Sequence, residues 1–237
     1  MRTGPLAEAS SMNTLPLLCE LHAHTTWSDG SMSPRELIDL HGRAGFAVLA
    51  VTDHAPGGVD AANYDRYLDE LEHEAARALG RYGLLVLPGL ELTFDHPDPV
   101  QAAHAVAVGL RTLPDLTRGL EPALAAAREA GAALIAAHPY TPEAAEEAPR
   151  RTAAFAARSE LRPLVDRFEL WNRNERFDWV AEAGLPPVAN GDVHLREHVA
   201  TRKTMLPCAK DERAIVDHLR SGGRVTFADL TGLSLAA

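Results

Sequence analysis

The sequence predicts an α/β protein, and three observations support this fold class. Short apolar runs alternate with amphipathic stretches along most of the 237 residues. That length suits one domain of barrel or doubly wound size. The composition, 46% hydrophobic and 24% charged, is that of a globular protein with a sizeable core. We therefore expect a loose tail over residues 1–14 and a single domain over residues 15–237.

The net charge and the hydropathy of the sequence limit which binding partners are expected. No apolar run approaches the roughly 18 residues of a membrane helix, and the N-terminus lacks the apolar core of a signal peptide, so a cytoplasmic protein without membrane contact is expected. The net charge of −10 makes long nucleic acid an unexpected partner, because a phosphate backbone needs a basic surface. A small phosphorylated substrate is compatible with this charge, since metal ions can hold it. The sequence carries no feature that indicates an oligomeric state.

The order of the elements follows from the apolar patterns. Strands are predicted at about 17–22, 46–51, 84–87, 103–110, 132–137, 165–170 and 187–190, with a short apolar segment at 225–228. Helices are predicted over about 34–44, 64–79, 116–130, 143–160, 177–183 and 211–219. Within 143–160, Pro149 is expected to break or bend the helix. The first helix has a clear start, because Ser33 and Glu36 form a capping box around Pro34.

One connection departs from simple alternation. Only 12 residues separate Glu91 from His104, and two of them are prolines. A parallel neighbour needs a longer, usually helical, crossover, so the strand at 103–110 is predicted to run antiparallel to the one before it. His104 would then lie at the same end of the sheet as Glu91. His96, in the intervening loop, is the competing metal ligand, and His104 is preferred.

Residues able to bind a metal follow the predicted strands. They are His22, His24, His54, Glu91, His138, Asp192 and His194. Parallel strands end at one rim, where sites of α/β proteins are built. His22 and His24 are two apart and project to the same side of a strand, about 7 Å apart, as do Asp192 and His194. Imidazole and carboxylate without a thiolate pattern suit Zn²⁺, Mn²⁺ or Fe²⁺.

Taken in order, these residues resemble the PHP (polymerase and histidinol phosphatase) family of metal-dependent phosphoesterases. The matching pieces are HAHTTWSDG at 22–30, TDH at 52–54, GLELT at 89–93, His104, AHP at 137–139 and GDVH at 191–194. The resemblance covers about residues 18–230. It implies a distorted (βα)7 TIM-like barrel that carries two or three divalent ions at one rim.

The resemblance also implies a role for each residue. The first metal would be held by His22, His24, Glu91 and Asp192, the second by Glu91, His104 and His138, and the third by Asp29, His54 and His194. Glu91 would bridge the first two ions. Asp192 and Glu91 are the candidate catalytic carboxylates, together with Asp53, which would orient the ligands from outside the metal shell.

The implied activity is hydrolysis of a phosphoric ester, by attack of a metal-bound hydroxide on phosphorus. Arg173, Arg196 and Arg202 follow rim positions and are candidates to clamp a phosphate. Two alternatives stay open: a metal-binding PHP module without turnover, and an amidohydrolase-type enzyme that attacks a carbonyl carbon. The version of the latter that bridges its metals with a lysine is excluded, because the first lysine of the chain is Lys203, after the last rim strand.

Overall fold

A computed structural model describes residues 15–148 and 150–232. The predicted tail over residues 1–14 lies outside this part of the chain. The described strands are Leu17–Glu20 (β1), Val48–Val51 (β2), His54–Ala55 (β3), Leu85–Phe94 (β4), Ala103–Val108 (β5), Ala133–Ala136 (β6), Arg167–Asn172 (β7), Glu175–Arg176 (β8), Pro187–Asn190 (β9), Arg202–Leu206 (β10) and Thr226–Asp229 (β11).

The described α-helices are Pro34–Arg43 (α1), Tyr64–Tyr82 (α2), Leu120–Glu129 (α3), Pro142–Ala145 (α4), Ala154–Ala157 (α5), Asp178–Glu182 (α6) and Glu212–Arg220 (α7). The predicted capping box begins α1, because Ser33 and Glu36 hydrogen-bond to each other's backbone and Pro34 occupies the first turn. Within the described residues, no helix is long and apolar enough to cross a membrane.

The strands form one mixed sheet in the order β11-β10-β1-β2-β4-β5-β6-β7-β8, with β3 beside β4 and β9 beside β7. Strands β1, β2 and β4 run parallel, and so do β6, β7 and β9. Between these two groups, β5 is antiparallel to both neighbours, as the short connection predicts. His104 lies opposite Thr93, so it reaches the same end of the sheet as Glu91.

The α/β class is confirmed, but the described strands do not form seven parallel βα units. The segment Arg202–Leu206, which the sequence pattern left unassigned, pairs antiparallel with β1 and occupies the position beside it. Strands β1 and β9 consequently share no ladder, and a single parallel bridge, Ala23 to Val193, joins the segments that follow them. The sheet is therefore irregular where the segments that follow β1 and β9 meet.

A continuous helix over 143–160 is not formed, and the predicted break within it is confirmed. The described residues of the segment form the short helices α4 and α5, followed by a 3-10 turn at Ser159–Leu164. Its backbone bonds elsewhere: Ala153 N–H donates to Pro99 O at 2.8 Å and Ala154 N–H to Ala102 O at 3.0 Å. These tertiary hydrogen bonds replace helical ones, so alanine content alone misled the prediction.

Candidate metal centre

The nine predicted metal ligands meet at one end of the sheet, and Glu91 lies at their centre. Its Oε2 is 3.1 Å from His22 Nε2, 3.2 Å from His24 Nε2 and 3.1 Å from His54 Nδ1. Its Oε1 is 3.1 Å from both His104 Nδ1 and His138 Nε2. One buried carboxylate therefore contacts five histidines that come from four separate segments of the chain.

Asp192 and Asp29 complete the centre. Asp192 Oδ1 lies 3.5 Å from His22 Nε2 and 3.4 Å from His24 Nε2. Asp29 Oδ1 lies 3.1 Å from His194 Nε2 and 3.6 Å from His54 Nε2. The preferred His104 thus stands beside Glu91, whereas His96 lies on an exposed loop and hydrogen-bonds to Asp98.

Three groups of side chains bring their ligand atoms within 4.8 Å of one another. They are His22 with His24 and Asp192, His54 with Glu91 and His104, and His24 with Asp29, His54 and His194. The first and third groups are close to the implied sets. His54 differs, because it contacts Glu91 as well as Asp29, and His24 is shared between two groups. His138 contacts Glu91 but belongs to none of the three groups.

Buried atoms without hydrogen-bond partners test whether the centre fits a cation. Four such atoms converge within the described residues: His22 Nε2, His24 Nε2, Glu91 Oε2 and Asp192 Oδ1. A buried polar atom without a partner is costly, and four of them facing one another are a recognised sign of an absent ion. Two imidazole nitrogens and two carboxylate oxygens suit a divalent transition metal. These four donor atoms therefore fit a divalent metal ion.

The second ring nitrogen of most of these histidines is held by an acceptor. The pairs are His22 Nδ1 with Glu169 Oε1 at 2.9 Å, His54 Nδ1 with Thr93 Oγ1 at 2.8 Å, His104 Nε2 with Asp95 Oδ1 at 3.0 Å, His138 Nδ1 with Thr152 Oγ1 at 3.0 Å and His194 Nδ1 with Asp192 O at 3.0 Å. A nitrogen that donates its proton outward leaves the other lone pair free for a metal. These contacts fix the orientation of each ring, and His194 Nδ1 also lies 3.0 Å from Arg173 Nη2.

The electrostatics of the centre favour a cation. Burial raises the pKa of Glu91 and Asp192, but the surrounding histidines outweigh it and hold both carboxyl groups well below their usual range. Burial lowers the pKa of His138 to about 4. Burial opposes charge on His104 and His194 as well, but Glu91 and Asp192 raise their pKa to about 9. Protons on these two rings occupy positions where metal ions would compete with them.

Glu169 is a buried carboxylate that the motif pattern missed. Its Oε1 accepts from His22 Nδ1 and from Asn190 Nδ2, each at 2.9 Å, and its Oε2 accepts from His138 N and Asn172 Nδ2, each at 2.7 Å. It therefore orients one predicted ligand by its ring and another by its backbone. A sequence signal existed, because Glu169 is a charged residue inside an apolar strand.

The other predicted site residues are distributed differently. The carboxylate of Asp53 accepts from Thr25 N at 2.7 Å and Ser28 Oγ at 2.6 Å, and so holds the turn that carries Asp29. The backbone oxygen of Asp53 accepts from Glu91 N at 3.0 Å. Arg202 forms an ion pair with Asp229 at 2.9 Å. Of the three predicted clamp residues, only Arg173 lines the cavity beside the centre; Arg196 and Arg202 do not.

This cavity has a volume of about 750 Å³ and opens onto the ligand groups. Its wall is formed by Asp29, His54, Asp95, His96, His104, Arg150, Arg151, Arg173, His194, Leu195 and His198. Arg150, which no motif indicated, reaches Asp192 Oδ2 with its Nη2 at 2.6 Å. Arg173 donates from Nε and Nη2 to Asp192 O at 3.1 and 3.0 Å. A negatively charged chain thus has a cationic wall at this cavity.

Comparison with known proteins identifies the fold. No model of a known protein family matches the sequence. A two-domain protein from Bacteroides vulgatus that contains a predicted PHP-like metal-dependent phosphoesterase superposes with a TM-score of 0.65, over 90% of this chain and 65% of that chain, at 19% sequence identity. The fold is the PHP fold. The resemblance that the sequence motifs predict is thereby confirmed.

Two further relatives are similar in sequence to part of this chain. A 3',5'-nucleoside bisphosphate phosphatase of Chromobacterium violaceum is 35% identical over 124 residues, which are 50% of this chain and 38% of that protein. The DNA polymerase/3'-5' exonuclease PolX of Bacillus subtilis is 30% identical over 99 residues, which are 38% of this chain and 17% of that protein. The chain therefore matches less than two fifths of the length of either relative.

Proposed function

We propose that this chain is a metal-dependent phosphoesterase that hydrolyses a small phosphorylated substrate. The observation that carries the proposal is the convergence of four unpartnered ligand atoms, from His22, His24, Glu91 and Asp192, at the cavity with the cationic wall. Such a site attracts a divalent cation and an anionic substrate together. The name of the Chromobacterium relative supports the same chemistry.

Two or three ions would be held by the residues of the proposed centre: His22, His24, Asp29, His54, Glu91, His104, His138, Asp192 and His194. When bound, Zn²⁺, Mn²⁺ or Fe²⁺ supply Lewis-acid polarisation of phosphate oxygens and lower the pKa of water towards ~7. Glu91 and Asp192 remain ionised because the histidines hold their pKa low, so they are available as ligands at neutral pH. Glu169 keeps His22 oriented throughout.

The arginines have a separate role, which is to bind the substrate anion. Arg173 is fixed in advance, because two of its donors are bonded to Asp192 O. Arg150 uses one nitrogen on Asp192 and lines the cavity, which leaves its remaining donors for a ligand. Planar guanidinium groups held in place suit the oxygens of a phosphate. Arg150 and Arg173 add two cationic groups to the proposed metal ligands. They favour a substrate with a second anionic group, such as a nucleoside bisphosphate.

A phosphate-release screen tests the function. Metal-free protein is supplied separately with Mn²⁺, Zn²⁺ and Fe²⁺ and assayed on nucleoside mono- and bisphosphates, sugar phosphates, a short oligonucleotide, an amide and a lactone. We expect metal-dependent release of phosphate, highest with a small doubly phosphorylated compound. Metal-dependent melting without any hydrolysis would instead support a non-catalytic PHP module, and turnover of the lactone or amide alone would support carbonyl chemistry.

The substitution Arg150→Met tests the cationic wall. A buried charge-assisted hydrogen bond is worth about 1.5–3 kcal/mol, so we expect kcat/KM for the best substrate to fall about 10–100-fold, with the larger part in KM. Arg151→Met is the matched control, because Arg151 lines the same cavity but its side chain is 46% exposed, against 19% for Arg150, and it pairs with Glu146. Equal losses in the two variants would argue against a specific role for Arg150.

A further inference from the structure

A buried ion pair lies behind the candidate metal centre. Lys203 Nζ is 2.6 Å from Glu20 Oε2, and both side chains are fully buried. The ammonium group also donates to Thr201 Oγ1 at 2.8 Å and to His198 O at 3.1 Å, so its three donors are all used. Removing two charges from water is expensive, and such pairs seldom add net stability over apolar residues of similar size. Stability alone therefore does not account for this buried ion pair.

Glu20 connects two segments that carry metal ligands. Both of its carboxylate oxygens accept from Gly191 N at 3.0 Å, and Oε1 also accepts from His22 N at 3.1 Å. Gly191 directly precedes Asp192, and His22 follows β1. One side chain therefore grips the backbone beside each of two ligands that must approach the same cation.

Glu20 joins these two segments at a place where few backbone hydrogen bonds connect them. In the described chain, the residues directly after β1 and β9 pair at a single bridge, Ala23–Val193, with His24 N donating to Val193 O at 2.9 Å and Val193 N to His22 O at 3.1 Å. Further along, Ser31 N donates to His194 O at 2.9 Å. Below that bridge β10 lies beside β1, and no ladder between β1 and β9 is found in the described part of the chain. Without a ladder, side chains must set the spacing between the two ligand segments.

The backbone at Gly191 packs closely against the Glu20–Lys203 ion pair, and the next residue, Asp192, has an unusual conformation. A Cβ atom at Gly191 would lie within 3.0 Å of Lys203 Nζ, Glu20 Oε2 and His198 O, so only glycine allows this close approach. Asp192 itself has a φ of +44°, in the left-handed region that is strained for a residue with a side chain. A strained conformation persists only where its surroundings over-determine it, and Glu20 supplies one restraint through its bifurcated hydrogen bond from Gly191 N.

We propose that Glu20 and Lys203 are positioning residues that set the separation of His22 and Asp192, and through it the affinity of the centre for its metal. Glu20 holds the two ligand segments, and Lys203 holds Glu20 in place and ties it to the loop after His194 through His198 O and Thr201. Neither side chain touches the metal or the substrate. This inference rests on the metal site of the proposed function but not on the reaction catalysed there.

The test is the double substitution Glu20→Gln with Lys203→Met, read by metal affinity. The double variant removes both charges at once, so the metal-free protein should melt near the wild-type temperature, unlike either single variant, which leaves one buried charge alone. It loses the paired carboxylate acceptors of Gly191 N. We expect Mn²⁺ titrated into metal-free protein to bind about 10–100-fold more weakly, the range typical of partners that orient a ligand. Elemental analysis should show fewer ions per chain.

Two further variants secure the interpretation. Glu74→Gln is the matched control, because Glu74 is also a buried carboxylate paired with cations, Arg35 and Arg77, but it joins α1 to α2 and no ligand segment. It should lower the melting temperature and leave Mn²⁺ affinity unchanged. Thr201→Val removes one acceptor of Lys203 and should weaken Mn²⁺ binding several-fold in a folded protein, should the double variant fail to fold.

The outcomes separate the two proposals. Wild-type Mn²⁺ affinity in a folded double variant or in Thr201→Val overturns the positioning role, and so does an equal loss of affinity in Glu74→Gln. Wild-type protein that binds Mn²⁺ but releases no phosphate overturns the proposed reaction and leaves the affinity comparison decisive for the positioning role. Wild-type protein that takes up no divalent metal overturns both.

Discussion

Asp192→Ala is expected to abolish metal-dependent phosphate release while leaving a folded protein. Asp192 Oδ1 faces the Nε2 atoms of His22 and His24, and its other oxygen pairs with Arg150. The substitution removes a ligand and leaves the Arg150 cation beside the remaining imidazoles, where it repels a metal ion. The loss in kcat/KM should exceed about 100-fold, the upper end for residues that only orient a ligand.

The measurement combines phosphate release with Mn²⁺ content and circular dichroism of the metal-free protein. The apolar core lies in the sheet and helices rather than around Asp192, so the secondary structure should persist. Asp178→Ala is the control, because Asp178 is an exposed aspartate in an ion pair with Arg176 and such pairs contribute little. Unchanged turnover in Asp192→Ala would contradict the assignment of the centre.

Glu169→Gln should have the second largest effect, on both stability and metal binding. The four groups that donate to the two oxygens of Glu169 are His22 Nδ1, His138 N, Asn172 Nδ2 and Asn190 Nδ2. A glutamine offers one oxygen and one NH₂ group, so at least two buried donors lose their acceptor. Each unsatisfied buried donor costs about 1–3 kcal/mol. We expect the metal-free protein to lose roughly 2–6 kcal/mol of unfolding free energy.

Metal affinity should fall about 10–100-fold in the same variant, because either the ring of His22 or the backbone N–H of His138 loses its acceptor. Denaturant unfolding of the metal-free protein and Mn²⁺ titration measure the two effects separately. Asn172→Asp is an informative comparison, since it places a second carboxylate beside Glu169 and should also destabilise the fold by repulsion between like charges. Wild-type stability and affinity in Glu169→Gln would show that the buried carboxylate orients nothing.

The strand ends were predictable because local patterns encode them. Apolar runs mark the parallel strands, and polar residues at or just after the end of each run mark the rim, which is how His22, His54, His138 and Asp192 come together. The antiparallel β5 was also predictable, because a connection with two prolines is too short and too irregular for a helical crossover. Chain connectivity and side-chain alternation were sufficient for these conclusions.

Contacts between distant parts of the chain determine the features of the fold that local patterns did not predict. Strand β10 takes the place beside β1 through antiparallel hydrogen bonds to residues nearly 190 positions earlier, and no local pattern announces such a pairing. The segment over 143–160 forms short helices because its backbone bonds to the loop at 99–102, against its alanine-rich preference. Arg150 belongs to the same segment and lines the cavity.

The sequence by itself determined the α/β class, the set of side chains that could ligate a metal and the rim at which they gather, because residue type and period are local properties of the chain. Only the tertiary structure decided which oxygen of Glu91 meets which histidine, which arginines line the cavity, and that Glu169, Glu20 and Lys203 stand behind the ligands. Those choices depend on distances between segments far apart in the chain, and burial makes every unsatisfied polar atom among them costly.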